Sequence, residues 1–228
     1  DVLAAIRDKD YHSPQTKVIS IEQTTNLGGG RIWPLERIEE IAEIAEENNL
    51  KMHMDGARML NAAVASVIDP LEYAQFFDSV WLDLSKGLGA PVGSVLAGSA
   101  EFIEQARFWK QRLGGAMRQA GIIAAGGIFA LEHNVSRLAE DHEHAKMLAE
   151  TIADQPGLEI DPETVETNIV LFSVADAKAD IFADELLKKG IRVSRLEGKL
   201  RAVTHLDVNR DDIRYAVKNI EKTAKEVF

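Results

Sequence analysis

The feature of this sequence that most restricts its fold is an alternation of short apolar runs with amphipathic stretches. A run rich in β-branched residues, typical of a buried strand, occupies 17–22, and further strands are predicted at 50–54 and 79–84. Helices are predicted from Pro34 to about Asn48, from Leu60 and near 100–112, because apolar residues recur there at helical spacing. Strands that alternate with helices usually form parallel sheets, so the sequence predicts an α/β fold with a mainly parallel sheet.

The last third of the chain has a more compact pattern. It predicts strands at 168–174, 191–195 and 200–206, with helices at 177–189 and 210–227. A long alanine-rich helical region is expected before it, at about 118–153. We therefore expect two domains, with residues 1–140 forming part of a large domain and residues 141–228 forming a smaller C-terminal α/β domain.

Composition argues against several kinds of partner. The formal net charge is −11 and no basic stripe interrupts it, which argues against binding to nucleic acid or to an anionic membrane. The chain has no cysteine, which excludes disulfides and thiolate metal sites and fits a reducing, cytoplasmic location. No apolar run approaches the roughly 20 residues of a membrane span, and the first residues do not resemble a signal peptide.

Charged residues follow two of the predicted strands. Asp55 and Arg58 come after the run at 50–54, and Lys86 comes after the run at 79–84. Ligands collect at the carboxyl ends of the strands in open α/β sheets, so these three side chains are expected in one crevice. The alternative is purely structural: Asp55 and Arg58 brace a helix, and Lys86 is a solvated loop residue.

Three kinds of site could resemble this glycine-rich turn at a strand end. A P-loop requires its glycines before the lysine, whereas here Gly87 and Gly89 follow Lys86. A dinucleotide turn requires a helix to receive the pyrophosphate, and Pro91 precedes a strand-like run instead. A Schiff-base site for pyridoxal phosphate requires a lysine amine and a carboxylate that keeps the pyridine nitrogen protonated. Lys86 and Asp55 supply both.

Histidines at 133, 142 and 144 are the remaining candidates for a metal site. His142 and His144 are two residues apart on a predicted helix, so their side chains point to different faces. No metal site is therefore predicted.

Four motifs resemble the low-specificity L-threonine aldolases, which are pyridoxal-phosphate enzymes of the aspartate-aminotransferase fold. They are HMDGARMLNA (53–62), LSKGLGAPVGS (84–94), GGAMRQAGI (114–122) and RAVTHLDV (201–208). The stretch EQTTNLGGGRIWPLE, which begins at Glu22, is similar to a diverged form of the family's Glu-Asn-Thr-His loop. The resemblance covers nearly the whole chain and implies the type I fold of pyridoxal-phosphate enzymes.

The resemblance implies a set of cofactor-binding residues. Lys86 matches the lysine that binds the cofactor aldehyde, and Asp55 would pair with the pyridinium nitrogen. Arg58 would lie beside the phenolic oxygen of the ring. Arg118 matches an arginine that reaches the cofactor phosphate across a subunit interface, so at least a homodimer is expected, and a dimer of dimers is usual in the family.

The resemblance also implies a reaction, the retro-aldol cleavage of L-threonine-type or L-allo-threonine-type β-hydroxy-α-amino acids to glycine and an aldehyde. Arg201 matches the arginine that holds the substrate carboxylate, a role that suits the guanidinium fork. His12 matches a histidine near the substrate hydroxyl and is the candidate base, since a neutral imidazole suits the working pH.

The sequence departs from the family in two respects. Family members are longer at the amino terminus, so a separate N-terminal fragment of the same protein is a possible partner. Thr25 stands where the loop usually has histidine, and no role is transferred to it. Two alternatives stay open: another type I pyridoxal-phosphate enzyme, such as a β-eliminating lyase or an aminotransferase, and a truncated non-catalytic homologue.

Overall fold

The computed structural model describes residues 1–8 and 10–228, which form two compact units. The first unit comprises residues 1–24 and 33–132. The second comprises residues 25–32 and 133–228, so the short segment 25–32 belongs with the C-terminal part of the chain.

The first unit is built on a four-stranded sheet in the order β1-β2-β3-β4, in which β1, β2 and β3 are parallel and β4 is antiparallel to β3. Its elements are α1 (Val2–Ala5), β1 (Val18–Glu22), α2 (Leu35–Glu47), β2 (Lys51–Gly56), α3 (Met59–Ser66), α4 (Pro70–Ala74), β3 (Ser79–Asp83), β4 (Ser94–Gly98), α5 (Ala100–Arg112) and α6 (Gly121–His133).

Amphipathic patterning accounts for the core of the first unit. Helix α2 buries Ile38, Ile41 and Ala45, which recur at helical spacing, while its acidic residues stay outside;. Strand β2 buries every second residue, including Met52 and Met54;. These apolar faces anchor the sheet whose strand ends carry the candidate site.

The segment from β4 to α6 packs differently. No residue of β4 or α5 is buried, and α6 buries only Gly127 and Ala130. Large apolar side chains therefore stay exposed along this part of the chain, among them Val95, Leu96, Phe108, Trp109, Leu113, Ile122 and Phe129. We refer to residues 94–131 as the exposed apolar segment.

The second unit is built on an antiparallel sheet in the order β5-β6-β8-β7. Its elements are α7 (Leu138–Ala153), β5 (Leu158–Glu159), β6 (Ile169–Val174), α8 (Ala179–Lys188), β7 (Ser194–Leu196), β8 (Lys199–Val203) and α9 (Arg210–Val227). Helices α7, α8 and α9 cover a core in which the rings of Phe172 and Phe182 meet edge to face, with centroids 6.4 Å apart;.

The mixed α/β architecture with a mainly parallel first sheet confirms the prediction from sequence. The helical region expected at 118–153 is two helices, because the chain leaves helical geometry between His133 and Leu138. Within residues 1–8 and 10–228, no helix has both the length and the apolar character needed to span a membrane.

Candidate active site

The carboxyl ends of three parallel strands define one edge of the first sheet. In the register of β2 and β3, Asp55 lies opposite Trp81, and Lys86 follows three residues after β3 ends at Asp83. The strands are close because Gly56 has no side chain: a Cβ there would lie 2.3 Å from the carbonyl oxygen of Trp81. The structure thus places Asp55 and Lys86 at the same edge of the sheet.

Backbone hydrogen bonds fix Asp55 and Arg58 between β2 and α3. The Asp55 carboxylate accepts a hydrogen bond from the Ala57 amide at 3.1 Å. The Gln23 amide donates to the Asp55 carbonyl, and the Arg58 amide donates to the Gln23 carbonyl, both at 2.8 Å. Gln23, just beyond the end of β1, therefore fixes the backbone of Asp55 and Arg58 immediately before α3.

Lys86 lies in a turn that is anchored on both sides by buried apolar residues. Leu84, Leu88 and Ala90 are each less than 9% exposed. The Ala90 amide donates to the Leu84 carbonyl at 2.8 Å, and the Gly89 amide donates to the Lys86 carbonyl at 2.9 Å. The Lys86 side chain itself is 38% exposed, so a rigid turn presents an accessible amine.

The Lys86 amine faces one carboxylate and one aromatic ring. Its Nζ lies 3.3 Å from Asp83 Oδ2 and 5.4 Å from the centroid of the Trp81 ring;. The other carboxylate oxygen, Asp83 Oδ1, accepts hydrogen bonds from the Ser85 amide at 2.7 Å and the Ser85 hydroxyl at 2.8 Å. Burial raises the pKa of Asp83, but the Ser85 donors and the Lys86 ammonium outweigh it and hold the pKa below its ordinary value;.

Sequence reasoning missed Asp83. Two signals pointed to it: it is the one acid within the run at 79–84, and it precedes Lys86 by three residues. The spacing alone does not determine whether two such side chains meet in a turn, so their contact becomes visible only in the structure.

Beyond the end of β1, two buried polar atoms have no partner among residues 1–8 and 10–228. Gln23 is fully buried, and its side-chain amide donates to the Trp33 carbonyl at 3.2 Å and accepts from the Trp33 amide at 3.0 Å. The Thr24 hydroxyl and the Trp33 indole nitrogen are buried and have no hydrogen-bond partner in the described part of the chain. Buried polar groups are normally paired, so the Thr24 hydroxyl is available to a ligand.

His12 and Arg118, also in the first unit, are exposed. His12 precedes the start of β1 by six residues, and its amide donates to Asp10 Oδ1 at 3.1 Å. Arg118 precedes α6 by three residues and lies in the exposed apolar segment. Among residues 1–8 and 10–228, the structure provides no contact that joins either side chain to Asp55 or Lys86.

Arg201 belongs to the second unit. It lies on β8 opposite Leu171 of β6, and its Nη1 donates to Asn26 Oδ1 at 2.5 Å. Its Nε is buried and has no partner within the ranges that the structure describes. A partly buried guanidinium whose Nε is unused within those ranges suits a carboxylate, which can accept two parallel hydrogen bonds;.

The loop that carries Asn26 is fixed to the second unit. The Thr167 hydroxyl donates to the Gly30 carbonyl at 2.6 Å, and Glu166 accepts a hydrogen bond from the Ile32 amide at 2.7 Å. A Cβ on Gly30, whose φ is +80°, would lie 2.7 Å from the Thr167 hydroxyl;. Glycine therefore permits the loop to approach β6 and to place Asn26 against Arg201.

A second buried polar cluster lies on α7. Asp141 is fully buried and pairs with Arg137 at 2.8 Å, and its carbonyl accepts a hydrogen bond from the Thr204 hydroxyl at 2.6 Å. Burial raises the pKa of Asp141 although Arg137 opposes the shift, and burial lowers the pKa of His142 to about 4. Across the described residues, no three acidic or histidine side chains are grouped as a metal site requires.

Comparison with solved structures identifies the fold. The Leishmania major threonine aldolase has a TM-score of 0.78 and 17% sequence identity, covering 98% of this chain and 66% of that one. A PLP-dependent aminotransferase from Streptococcus suis has a TM-score of 0.74 and 16% identity, covering 95% of this chain and 59% of that one. These identities show the fold alone, which is the type I fold of pyridoxal-phosphate enzymes, as expected from the sequence motifs.

Sequence comparison then identifies the family. The chain belongs to the beta-eliminating lyase family, which it matches over residues 1–177. It is 39% identical over 212 residues to the low specificity L-threonine aldolase of Escherichia coli K12, a match that covers 93% of this chain and 62% of that protein. The similarity to low-specificity L-threonine aldolases is thereby confirmed. The chain spans about three fifths of the length of the curated relatives it matches.

Proposed function

We propose that this chain carries the lysine-bearing part of a pyridoxal-phosphate enzyme that cleaves β-hydroxy-α-amino acids. Its substrates would be L-threonine and L-allo-threonine, and its products glycine and an aldehyde. The similarity to the Escherichia coli aldolase supports the substrate class. The observation that carries the proposal is the placement of Lys86 beyond β3 and Asp55 at the end of β2, on one edge of a parallel sheet.

The residues at this edge fit pyridoxal phosphate. Lys86 presents an accessible amine on a rigid turn, and the Asp55 carboxylate is held at the neighbouring strand end. The buried Thr24 hydroxyl, without a partner in the described ranges, leaves one more polar group to be satisfied. An amine, a carboxylate and a spare hydroxyl are groups that this cofactor can use.

Each of the cofactor-binding residues has a chemical role in the proposal. Lys86 would bind the cofactor aldehyde, Asp55 would accept a hydrogen bond from the protonated pyridine nitrogen, and Arg58 would lie beside the phenolic oxygen. Arg118 would reach the phosphate of the cofactor that a neighbouring subunit binds. When bound, pyridoxal phosphate supplies a ring that accepts the electrons of the broken carbon–carbon bond.

The substrate-binding residues orient the bond that breaks. Arg201 holds the substrate carboxylate through its guanidinium fork, whose Nε donor is unused in the described residues;. A fixed carboxylate restricts rotation of the substrate and so favours one alignment of the breaking bond. His12 accepts the proton of the β-hydroxyl group, a role that a neutral imidazole can perform near neutral pH.

The cofactor assignment is tested by covalent trapping. The chain is incubated with pyridoxal phosphate, reduced with borohydride and digested, and the peptides are analysed by mass spectrometry. A pyridoxyl group on Lys86, absent from a Lys86→Ala chain, is the expected result. Label scattered over surface lysines, or no label, would contradict the assignment.

The matched family favours one alternative reaction, β-elimination from an amino acid. The two reactions are distinguished by their products. Aldol cleavage of L-threonine yields glycine and acetaldehyde, whereas β-elimination yields ammonia and a 2-oxo acid. Oxo acid without glycine would replace the proposed reaction by the alternative.

The assembly and organisation of the protein are part of the same proposal. Exposed apolar side chains from β4 to α6 support a homo-oligomer, because patches of this kind often mark interfaces;. The family resemblance favours a dimer of dimers. A separate N-terminal fragment of the same protein is a further partner.

Residues 1–140 would form part of the cofactor-binding large domain and residues 141–228 the small domain. The absence of cysteine supports a cytoplasmic location;.

A further inference from the structure

The contact between Asp83 and Lys86 is more constrained than an ordinary surface ion pair. The Asp83 side chain is only 11% exposed, while the Lys86 side chain is 38% exposed. Two donors from Ser85 hold Asp83 Oδ1, so the other oxygen, Oδ2, is fixed in the direction of the Lys86 amine. Because the acid is already ordered by its own turn, the pair does not depend on two mobile side chains meeting in water.

The electrostatic surroundings of Lys86 come from three strand ends. Asp83 is the acid at ion-pair distance. Glu22, at the end of β1, and Asp55 and Arg58, at the end of β2, are the other charged residues that these neighbouring strands bring to this edge. Asp83 remains ionised at neutral pH, since its pKa lies below the ordinary value once the Ser85 donors and Lys86 outweigh burial.

We propose that Asp83 is a positioning residue that holds Lys86 as an ammonium ion at the sheet edge and thereby sets the pH at which it binds the cofactor. This inference rests on the proposed function. The Lys86 ammonium gives one proton to water, and its neutral amine then forms a C=N bond with the cofactor aldehyde carbon, with loss of one water molecule. The fixed carboxylate of Asp83 stabilises the ammonium form of Lys86. Loss of the proton therefore requires a higher pH than it would without this carboxylate.

The test is the pH dependence of pyridoxyl labelling. Wild-type chain and the Asp83→Asn variant are incubated with pyridoxal phosphate over a range of pH, reduced with borohydride, and the label on Lys86 is quantified by mass spectrometry. The labelling midpoint of Asp83→Asn is expected at a lower pH than that of the wild type. An unchanged midpoint with normal labelling would overturn the inference and leave the proposed function intact.

Two further variants separate charge from structure. Asp83→Glu keeps the carboxylate and should keep a midpoint close to that of the wild type. If it shifts as far as Asp83→Asn, the charge is not the cause. Asp78→Asn is the matched control, because Asp78 precedes the other end of β3 and pairs with Lys51 at 2.7 Å. It loses the same charge from a more exposed pair and should leave the midpoint unchanged, so an equal shift there would contradict a local effect of Asp83.

A further test uses the wild-type chain alone, so it does not depend on whether a variant folds. Added salt screens the exposed amine from the carboxylate, so the midpoint should fall as ionic strength rises. A midpoint that is independent of salt would count against the pair. The absence of Lys86 label at every pH in the wild type would overturn the cofactor assignment together with this inference.

Discussion

Gly56 determines how closely the ends of β2 and β3, which carry Asp55 and Lys86, can approach each other. Its hydrogen atom faces the carbonyl oxygen of Trp81, at a point where a Cβ would be only 2.3 Å away. Alanine at this position would force β2 and β3 apart or distort the turn that begins at Asp55. We expect Gly56→Ala to lower the free energy of unfolding by about 1–3 kcal/mol, the usual cost of overpacking.

The measurement for Gly56→Ala is urea unfolding followed by tryptophan fluorescence. Trp33, Trp81 and Trp109 are the three tryptophans of the chain and all lie in the first unit, so the signal reports that unit. Gly121→Ala is the matched control, because a Cβ there meets nothing within 4 Å. Equal stability of the two variants would show that the contact with Trp81 is not restrictive.

Asn26 orients the arginine that we propose to bind the substrate carboxylate. Its side-chain oxygen accepts a hydrogen bond from Arg201 Nη1 at 2.5 Å. Asn26→Ala would leave the guanidinium free to rotate, so the KM for L-threonine should rise about 10-fold while kcat changes less, since hydrogen bonds to charged groups contribute about 1.5–3 kcal/mol.

Steady-state kinetics of Asn26→Ala and Asn26→Asp check this expectation. Asn26→Asp keeps an acceptor for Arg201 and should retain a KM closer to that of the wild type. A loss of kcat at constant KM in Asn26→Ala would instead assign Asn26 a role in the chemical step.

Residue identity predicted some parts of the site and not others. Asp55 and Lys86 could be selected from the sequence because each follows an apolar run that reads as a strand. Asp83 and Asn26 could not, since their partners are determined by the path of a turn and by a loop that folds against a strand far along the chain. Local sequence patterns carry no information on such contacts.

Among the helices and strands, the break between α6 and α7 has the largest effect on the layout. Alanine-rich apolar spacing continues through residues 118–153, and residues 134–137 contain neither glycine nor proline. The pattern therefore gave no stop signal. In the structure the break precedes α7, whose first turn is fixed by the pair of Arg137 with the buried Asp141. Tertiary pairing, and not helix propensity, sets this boundary.

Helix α7 should make stability depend on pH. Burial lowers the pKa of His142 from 6.5 to about 4, so the unfolded chain binds a proton at a higher pH than the folded chain does. The stability contributed by neutral His142 is fully present above pH 6.5 and is lost as the pH falls from 6.5 to about 4. The slope is at most about 1.4 kcal/mol per pH unit.

Urea unfolding at several pH values, followed by circular dichroism, measures this dependence. His142→Gln should lose less stability between pH 6.5 and 4 than the wild type does. Asp141, whose pKa is raised by burial, is present in both chains, so the difference between the two slopes isolates His142. His12→Gln, at an exposed position, should keep the wild-type slope. Identical slopes for the wild type and His142→Gln would contradict the prediction.

Across the whole molecule, the exposed apolar segment has the greatest consequence for behaviour in solution. Ile122 on α6 is 87% exposed, and β4 and α5 contain no buried residue. If this segment forms the proposed interface, Ile122→Glu should weaken self-association about 10-fold, since desolvating a charge at an interface is costly. Sedimentation velocity at several protein concentrations measures the effect.

Leu187→Glu serves as the control for that experiment, because Leu187 is exposed on α8 of the second unit, away in sequence from the apolar segment. It should associate as the wild type does. If both variants associate equally well, the apolar segment is not the interface.

The path of the chain between its two units also has a genetic consequence. The chain passes from one unit to the other after residues 24, 32 and 132, and the loop 25–32 is held by Glu166 and Thr167. A recombination event that moved only the codons for residues 133–228 would leave behind the eight-residue loop 25–32, which these side chains hold through Gly30 and Ile32. Neither unit can therefore be exchanged as one contiguous coding segment.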